Sequence, residues 1–221
     1  MISRFLATMV VAFLLAGAAL PARPGAIVPL GVVTQSSRGH FNASQVTSGA
    51  TVFDGDVLST EAEGALQVHS GAARLYLPGQ SAIALHGIPN GAQAQLRMGT
   101  VVFSASKAAA MEVLADDALI RPMADGPTIA QVTVVGPKEL QIAARRGDLE
   151  FSYHGETEKI PGGASYRILL DSSEPAAKPF PQQPPVKGAR ESKSFKITVI
   201  VLAGWATEWG IHEVLESPDR P

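Results

Sequence analysis

Four carboxylates fall within ten residues of this 221-residue chain: Asp54, Asp56, Glu61 and Glu63. Acids at that density invite a calcium loop, which needs oxygen ligands at alternating positions, then a Gly and a closing Glu. Val57 and Leu58 stand where ligands would be needed, so the cluster reads as turn-forming. Asp116 and Asp117 are adjacent, and neighbours on a strand point to opposite faces, which makes a poor acid–base pair. His40, His69, His86, His154 and His212 have no metal-ligand spacing. His69 and His154 fall at strand positions expected to face solvent, and His40 in a polar loop. Arg145-Arg146 precedes a Gly turn and reads as a solvated edge, with an anionic-glycan contact as the alternative. There is no Gly-x-Ser-x-Gly elbow, His-Glu-x-x-His helix, phosphate loop or dinucleotide fingerprint. Cysteine is absent, which excludes a disulfide framework, a thiolate metal site and a cysteine nucleophile. The expectation is a protein without catalytic residues, cofactor or metal.

The elements that would position these residues are short strands. Gly and Pro are frequent (21 and 16) and aromatics few, which favours strands and turns over long helices. The organising stretch is Gly49–Leu77. Asp54-Gly55-Asp56 is a turn signal, Leu66 and Val68 alternate with Gln67 and His69, Ser70-Gly71 turns, and Leu75 and Leu77 alternate again. Leu30–Val33 precedes it as a first strand, and Ser36–Ser48 reads as a polar loop. Beyond it, Ala82–His86 alternates, Pro89-Asn90-Gly91 predicts a hairpin, and Gln93–Met98 and Thr100–Ser104 flank Gly99. Ala105–Ala110 predicts one helical turn or a crossing between sheet layers. Thr128–Val135 carries the β-branched residues of a central strand, and Tyr166–Leu170 is the last strand. Arg97–Ser104 and Arg145–Ser152 echo each other as Gly-x-apolar-x-Phe-Ser, a strand–Gly–strand unit used twice. The predicted fold is all-β: a sandwich, or a roll or solenoid-like stack, of ten or more short strands over residues 23–170.

The organising stretch resembles the FecR domain, a periplasmic all-β module of bacterial envelope proteins. The residues carrying the resemblance are Gly49, Val52, Gly55, Asp56, Leu58 and Thr60, then Gly64, Leu66, Val68, Gly71 and Leu75, followed by Gly99 and Phe103 in a Leu-x-x-Gly-x-Val/Phe unit. The resemblance extends over roughly Leu30 to Leu170. Its second half departs, with Ile120-Arg121-Pro122 and Ile129–Val135 where the family usually carries a Gly-Thr-x-Phe strand. It implies an envelope module whose motif residues are structural. The best-known members are transmembrane regulators with a short cytoplasmic segment that controls a sigma factor, and that segment is expected to be missing here.

The chain ends carry the address. Residues 1–22 have a charged start at Arg4, an apolar core over Phe5–Leu15 and an Ala16-Gly17-Ala18 cleavage pattern, the layout of a signal peptide. An uncleaved anchor helix is the alternative. Residues 171–194 are Pro-rich and read as a semi-rigid spacer. Residues 195–216 are expected to form an apolar helix, with Trp205 and Trp209 on one face at a lipid–water boundary. Glu208 and His212 fall inside the required length; an acid at the bilayer centre costs about 2.5–3.5 kcal/mol. An interfacial amphipathic helix is therefore the alternative to a single span, and residues 217–221 form a short tail. A net charge of −2 argues against a nucleic-acid surface, which needs a basic stripe.

Together these readings point to a non-enzymatic, membrane-tethered periplasmic module for sensing, scaffolding or protein–protein contact, with an unknown envelope protein as partner. The expected contact loops are Ser36–Ser48 and Pro122–Pro127. Two alternatives are a transmembrane regulator of the sigma-factor type and an envelope-polysaccharide binder using Tyr76, Tyr153 and Tyr166.

Overall fold

The computed structural model describes residues 28–171, 190–191 and 195–199. The expected signal segment, the Pro-rich run apart from Asp171 and Arg190-Glu191, and everything after Val199 lie outside the described residues, Trp205, Trp209 and His212 among them. No helix among the described residues is long and apolar enough to cross a membrane.

The described chain is nearly all β. In order the strands are β1 (Gly31–Phe41), β2 (Ser44–Gln45), β3 (Thr51–Val52), β4 (Val57–Ser70), β5 (Ala73–Leu77), β6 (Ala82–Ile88), β7 (Gly91–Ala105), β8 (Met111–Ala115), β9 (Ala118–Pro122), β10 (Thr128–Gly136), β11 (Glu139–Arg146), β12 (Leu149–Tyr153), β13 (Glu156–Ile160), β14 (Ser165–Leu170), β15 (Arg190–Glu191) and β16 (Phe195–Val199). One 3-10 turn, Ala108–Ala110, lies between β7 and β8.

Three long strands, β1, β4 and β7, bend and take part in two layers. Leu66–Ser70 of β4 pairs with β5, while Val57–Ser59 pairs with β6. The C-terminal half of β7 pairs with β5 and β10, and its N-terminal half with β6 and β8. One layer therefore runs β1-β4-β5-β7-β10-β11-β14-β16-β15, and the other β1-β4-β6-β7-β8-β9-β12-β13. The inward residues of both layers form a single core. Phe151 of β12 meets Phe195 of β16 edge-on across the layers, with ring centroids 5.0 Å apart.

Two of the layer changes occur at positive-φ glycines. In β7 the residues of the core are Ala92, Ala94 and Leu96 before Gly99, and Val101, Phe103 and Ala105 after it. The inward parity flips from even to odd, because one residue is spent turning the corner. Gly99 supplies the turn with a φ of +78°. Gly147, at φ +74°, does the same between β11 and β12: Leu140, Ile142 and Ala144 face inward before it, and Leu149, Phe151 and Tyr153 after it. The sequence echo is thus a conformational one, a positive-φ corner followed by a buried apolar-x-Phe strand.

Several expectations shift at the level of single elements. The segment read as a loop over Ser36–Ser48 is mostly the C-terminal part of β1 and the short β2. Asp116 and Asp117 are not on a strand. Both have positive φ and form the two-residue loop between Ala115 and Ala118. His154 likewise sits in the β12–β13 turn at φ +48°. The Ala-rich stretch is both one helical turn and a crossing, since β8 returns parallel to the N-terminal half of β7.

The largest difference is at Phe195. The expected helix over residues 195–216 opens as β16, antiparallel to β14 with Leu170 opposite Phe195. Phe195 and Ile197 are 4% and 3% exposed and belong to the core. The folded unit therefore does not end at Leu170. The Pro-rich run joins two strands of the same sheet rather than separating the domain from the apolar tail.

Candidate functional site

In the motif stretch, each of the four acids has a structural partner. The Asp56 carboxylate accepts the Phe53 N–H at 2.5 Å and fixes its own turn. The Asp54 carboxylate accepts the Gly87 N–H at 2.9 Å and lies 3.6 Å from Nδ1 of His86. Backbone bonds between Gly55 and Leu85 (2.8 Å) and between Leu85 and Asp56 (2.9 Å) clip the same turn to β6. Glu61 pairs with His40 at 2.8 Å, and Glu63 with Arg38 at 2.8 Å, both on the surface. Among the described residues, no three His, Cys, Asp or Glu side chains converge as metal ligands would.

The apolar motif residues Val52, Leu58, Leu66, Val68, Leu75 and Phe103 are fully buried. Gly49, Gly55 and Gly71 lie in turns at positive φ. At Gly64 a Cβ would come within 2.8 Å of the Arg38 carbonyl oxygen. Thr60 is the buried polar member. Its hydroxyl donates to the Pro78 carbonyl at 2.5 Å and accepts the Ser81 N–H at 3.1 Å. The Ser81 hydroxyl in turn accepts the Thr100 N–H at 3.0 Å. This chain ties β4, the β5–β6 connection and the Gly99 corner together, and satisfies backbone groups that the corner withdraws from the ladder.

A second cluster was not legible in the sequence. The Tyr153 hydroxyl donates to the Asp171 carboxylate at 2.5 Å, and the Lys138 ammonium sits 3.2 Å from the other oxygen. The His154 ring stacks on Tyr153 with centroids 4.0 Å apart. The Tyr153 hydrogen bond, then Lys138, holds the Asp171 carboxyl below the usual carboxylate range. Burial, then Asp171, pushes the Tyr153 phenol up. The Asp171 hydrogen bond raises Lys138. A phenol held protonated and an amine held charged supply no base near neutral pH, so the cluster works as a lock. It anchors the chain where β14 ends, beside the Leu170 N–H bond to the Lys138 carbonyl at 2.8 Å. The sequence carries no signal for it, because Asp171 opens the Pro-rich run.

The three tyrosines do not share a face. Tyr153 is 1% exposed, Tyr166 packs against the core, and Tyr76 lies half-buried on the outer face of β5. The side chains of Arg145 and Arg146 are exposed. A shallow groove of about 240 Å³ runs along Phe41, Ser44–Thr47, Ala50 and Thr51, within and beside the expected contact segment. The other expected contact loop, Pro122–Pro127, is held by backbone bonds from Met123 to Asp148 (3.0 Å) and from Gly126 to Ser106 (3.0 Å), with Met123 exposed.

No protein-family model matches the chain, and no curated protein matches it. Two crystal structures from Parabacteroides distasonis ATCC 8503, each described as a "putative anti-sigma factor", are similar to it in fold. One is 11% identical with a TM-score of 0.43, the other 10% identical with a TM-score of 0.44. In both cases 51% of this chain is covered, along with 54% of the other, so the match spans about half of each protein.

Proposed function

We propose that this chain is a non-enzymatic, FecR-like envelope module, exported and held at the bacterial cell membrane by the apolar tail. It acts through protein contact, in sensing or scaffolding. The observation that supports this reading most is the fate of the motif stretch. Its acids close turns or form surface ion pairs, its apolar residues fill the core, and its threonine braces a corner. Residue types that in another setting would do chemistry are here absorbed by architecture, which suits a module whose working parts are its surfaces. The burial of Tyr153 weighs against the polysaccharide alternative, since one of three candidate aromatics is withdrawn from solvent.

The test is protease accessibility of the tagged full chain in spheroplasts, run beside membrane fractionation with carbonate washing. The expected result is digestion of the β domain from outside while the tail stays in the membrane pellet. Recovery of the protein as a carbonate-soluble species would overturn the tether. Capture of a sigma factor by crosslinking in cells would replace scaffolding with the transmembrane-regulator reading.

A further inference from the structure

The layer that holds β5, β10 and β11 carries a row of basic residues on its outer face, assembled by the strand register from distant parts of the chain. His69 of β4 is opposite Arg74 of β5, Arg74 opposite Ser104 of β7, Ser104 opposite Ile129 of β10, and Ile129 opposite Arg146 of β11. Directly paired residues stand on one face of a sheet. Here it is the face away from the core, since their chain neighbours Val68, Leu75, Phe103 and Ala130 point inward. The ladder slips between Ile129 and Ala130: Arg146 pairs with Ile129 and Ala144 with Ala130, so Arg145 is skipped. Ala144 faces the core, Arg145 follows it outward, and Arg146 shares the face of Ile129. The bulge therefore sets two consecutive arginines on the same face, where regular alternation would have turned one of them inward. Both are exposed, and neither has an ion-pair partner among the described residues. The row contains no acid, and neither does the next rank along the same strands, Gln67, Tyr76, Val102, Gln131 and Ala143.

We infer that this face binds an anionic polysaccharide, with Arg145 and Arg146 as the principal contacts to its carboxylate or phosphate groups and the row as its track. Charge complementarity sets the sign of the ligand, and the guanidinium fork matches both acid groups. The setting favours a sugar polymer over the other anionic partners. β4, β5, β7, β10 and β11 are each paired on both sides, so the face offers no free backbone edge to a peptide. Val102 is 2% exposed and Ile129 half-buried, so the centre of the row has no apolar side chain to enter a bilayer. Ser104, Gln67 and Tyr76 bring a hydroxyl, an amide and a phenol beside the row, groups that bond to sugar hydroxyls. From Arg74 to Arg146 is three strand spacings, about 14 Å, long enough to engage successive sugar units. The inference rests on the sheet alone and is independent of the tether. Unlike the tyrosine-based alternative, it needs no shared aromatic face.

The test is affinity electrophoresis of the full-length chain in non-ionic detergent, in native gels containing polygalacturonate, a teichoic acid, or neutral dextran. The expected result is retardation by one or both polyanions and none by dextran. The apparent affinity should fall several-fold in Arg145→Gln/Arg146→Gln, and also in His69→Glu, which places an acid in the row. Arg97→Gln, which removes an exposed cation from the other layer, should leave it unchanged. All four positions are exposed, and matching thermal unfolding curves confirm that the variants fold. Retardation by neither polyanion, or an equal loss in Arg97→Gln, would overturn the proposal. Flotation with phosphatidylcholine vesicles, with and without phosphatidylglycerol, separates the remaining source of anions. If the arginine substitutions weaken binding to the anionic vesicles and leave the polyanion gels unaffected, the face belongs to lipid headgroups and the proposal is wrong.

Discussion

Gly99 and Gly147 turn equivalent corners at nearly the same φ, +78° and +74°, but into different surroundings. Replacing each by Ala therefore separates backbone strain from crowding. Placing an L-residue in the left-handed region costs about 1–2 kcal/mol, and this is common to both. At Gly147 the new methyl would lie 2.7 Å from the Thr128 hydroxyl and 3.2 Å from its Cα. The hydroxyl can move at about 0.5–1.5 kcal/mol, which gives roughly 2–3 kcal/mol in all. At Gly99 the methyl would lie 2.2 Å from the Gln80 carbonyl oxygen and 2.7 Å from the Ser81 Cα, both backbone. Relief there must displace Ser81, whose N–H bonds Thr60 and whose hydroxyl bonds the Thr100 N–H. Stranding one such buried group costs about 1–3 kcal/mol, so Gly99→Ala should lose roughly 2–5 kcal/mol, the more of the two. Urea unfolding followed by circular dichroism reads both, with m-values expected to match wild type. Equal losses, or a larger loss at Gly147, would refute the claim that the Gly99 corner is packed on the Gln80–Ser81 backbone.

Three further outcomes are expected. A double-mutant cycle of Phe151→Ala and Phe195→Ala should give a coupling of about 0.5–1.5 kcal/mol in urea unfolding, from the edge-on rings; zero coupling would remove β16 from the core. Because the Asp171 carboxyl titrates lower in the folded state than in the unfolded one, its stabilisation is present above the unfolded value of about 4 and is lost as pH falls through the folded value. The gap in melting temperature between wild type and Asp171→Asn should then hold from about pH 5 to 8 and close in stronger acid, and a gap unchanged at pH 2 would contradict the lock. Finally, a specific protease site placed within residues 172–189 should yield fragments that co-elute in native buffer and separate only in denaturant; separation on cutting alone would show that the Pro-rich run is a plain spacer.

The alternation of the first half was legible because each strand buries one face of a two-layer core. Leu66, Val68, Leu75 and Leu77 all point inward, as their spacing predicts. The corners were legible only as glycines. Their meaning lay in the parity flip, from Ala92-x-Ala94-x-Leu96 to Val101-x-Phe103-x-Ala105, which requires reading two strands at once. Asp116-Asp117 and His154 read as strand in the sequence because the flanking residues alternate without interruption. Two-residue hairpin loops leave almost no gap in such a pattern, and Asp is among the residues that tolerate the left-handed conformation. The Tyr153–Asp171–Lys138 lock has no local signature, because its members come from one turn and two strand ends that only the sheet order brings together.

Phe195–Val199 is the most instructive miss, because both periodicities were present. Phe195, Ile197 and Val199 alternate with Lys196 and Thr198, the pattern of a half-buried strand, while the apolar run continuing through Ala206 favours a helix. The sheet decides between them: β14 without β16 would leave Ile168 and Leu170 at an open edge, and Phe195 and Ile197 close it. Burying those two side chains stabilises the domain by about 3–6 kcal/mol, an upper bound and a large share of a marginal total. The consequence reaches the proposed tether. In the sequence the apolar run continues directly from Val199, so in the proposed tether a pull on it would reach the strand that closes the core. In the envelope reading, the state of the tail and the integrity of the β14 edge are then coupled, and a partner that holds the tail also holds the last strand of the fold.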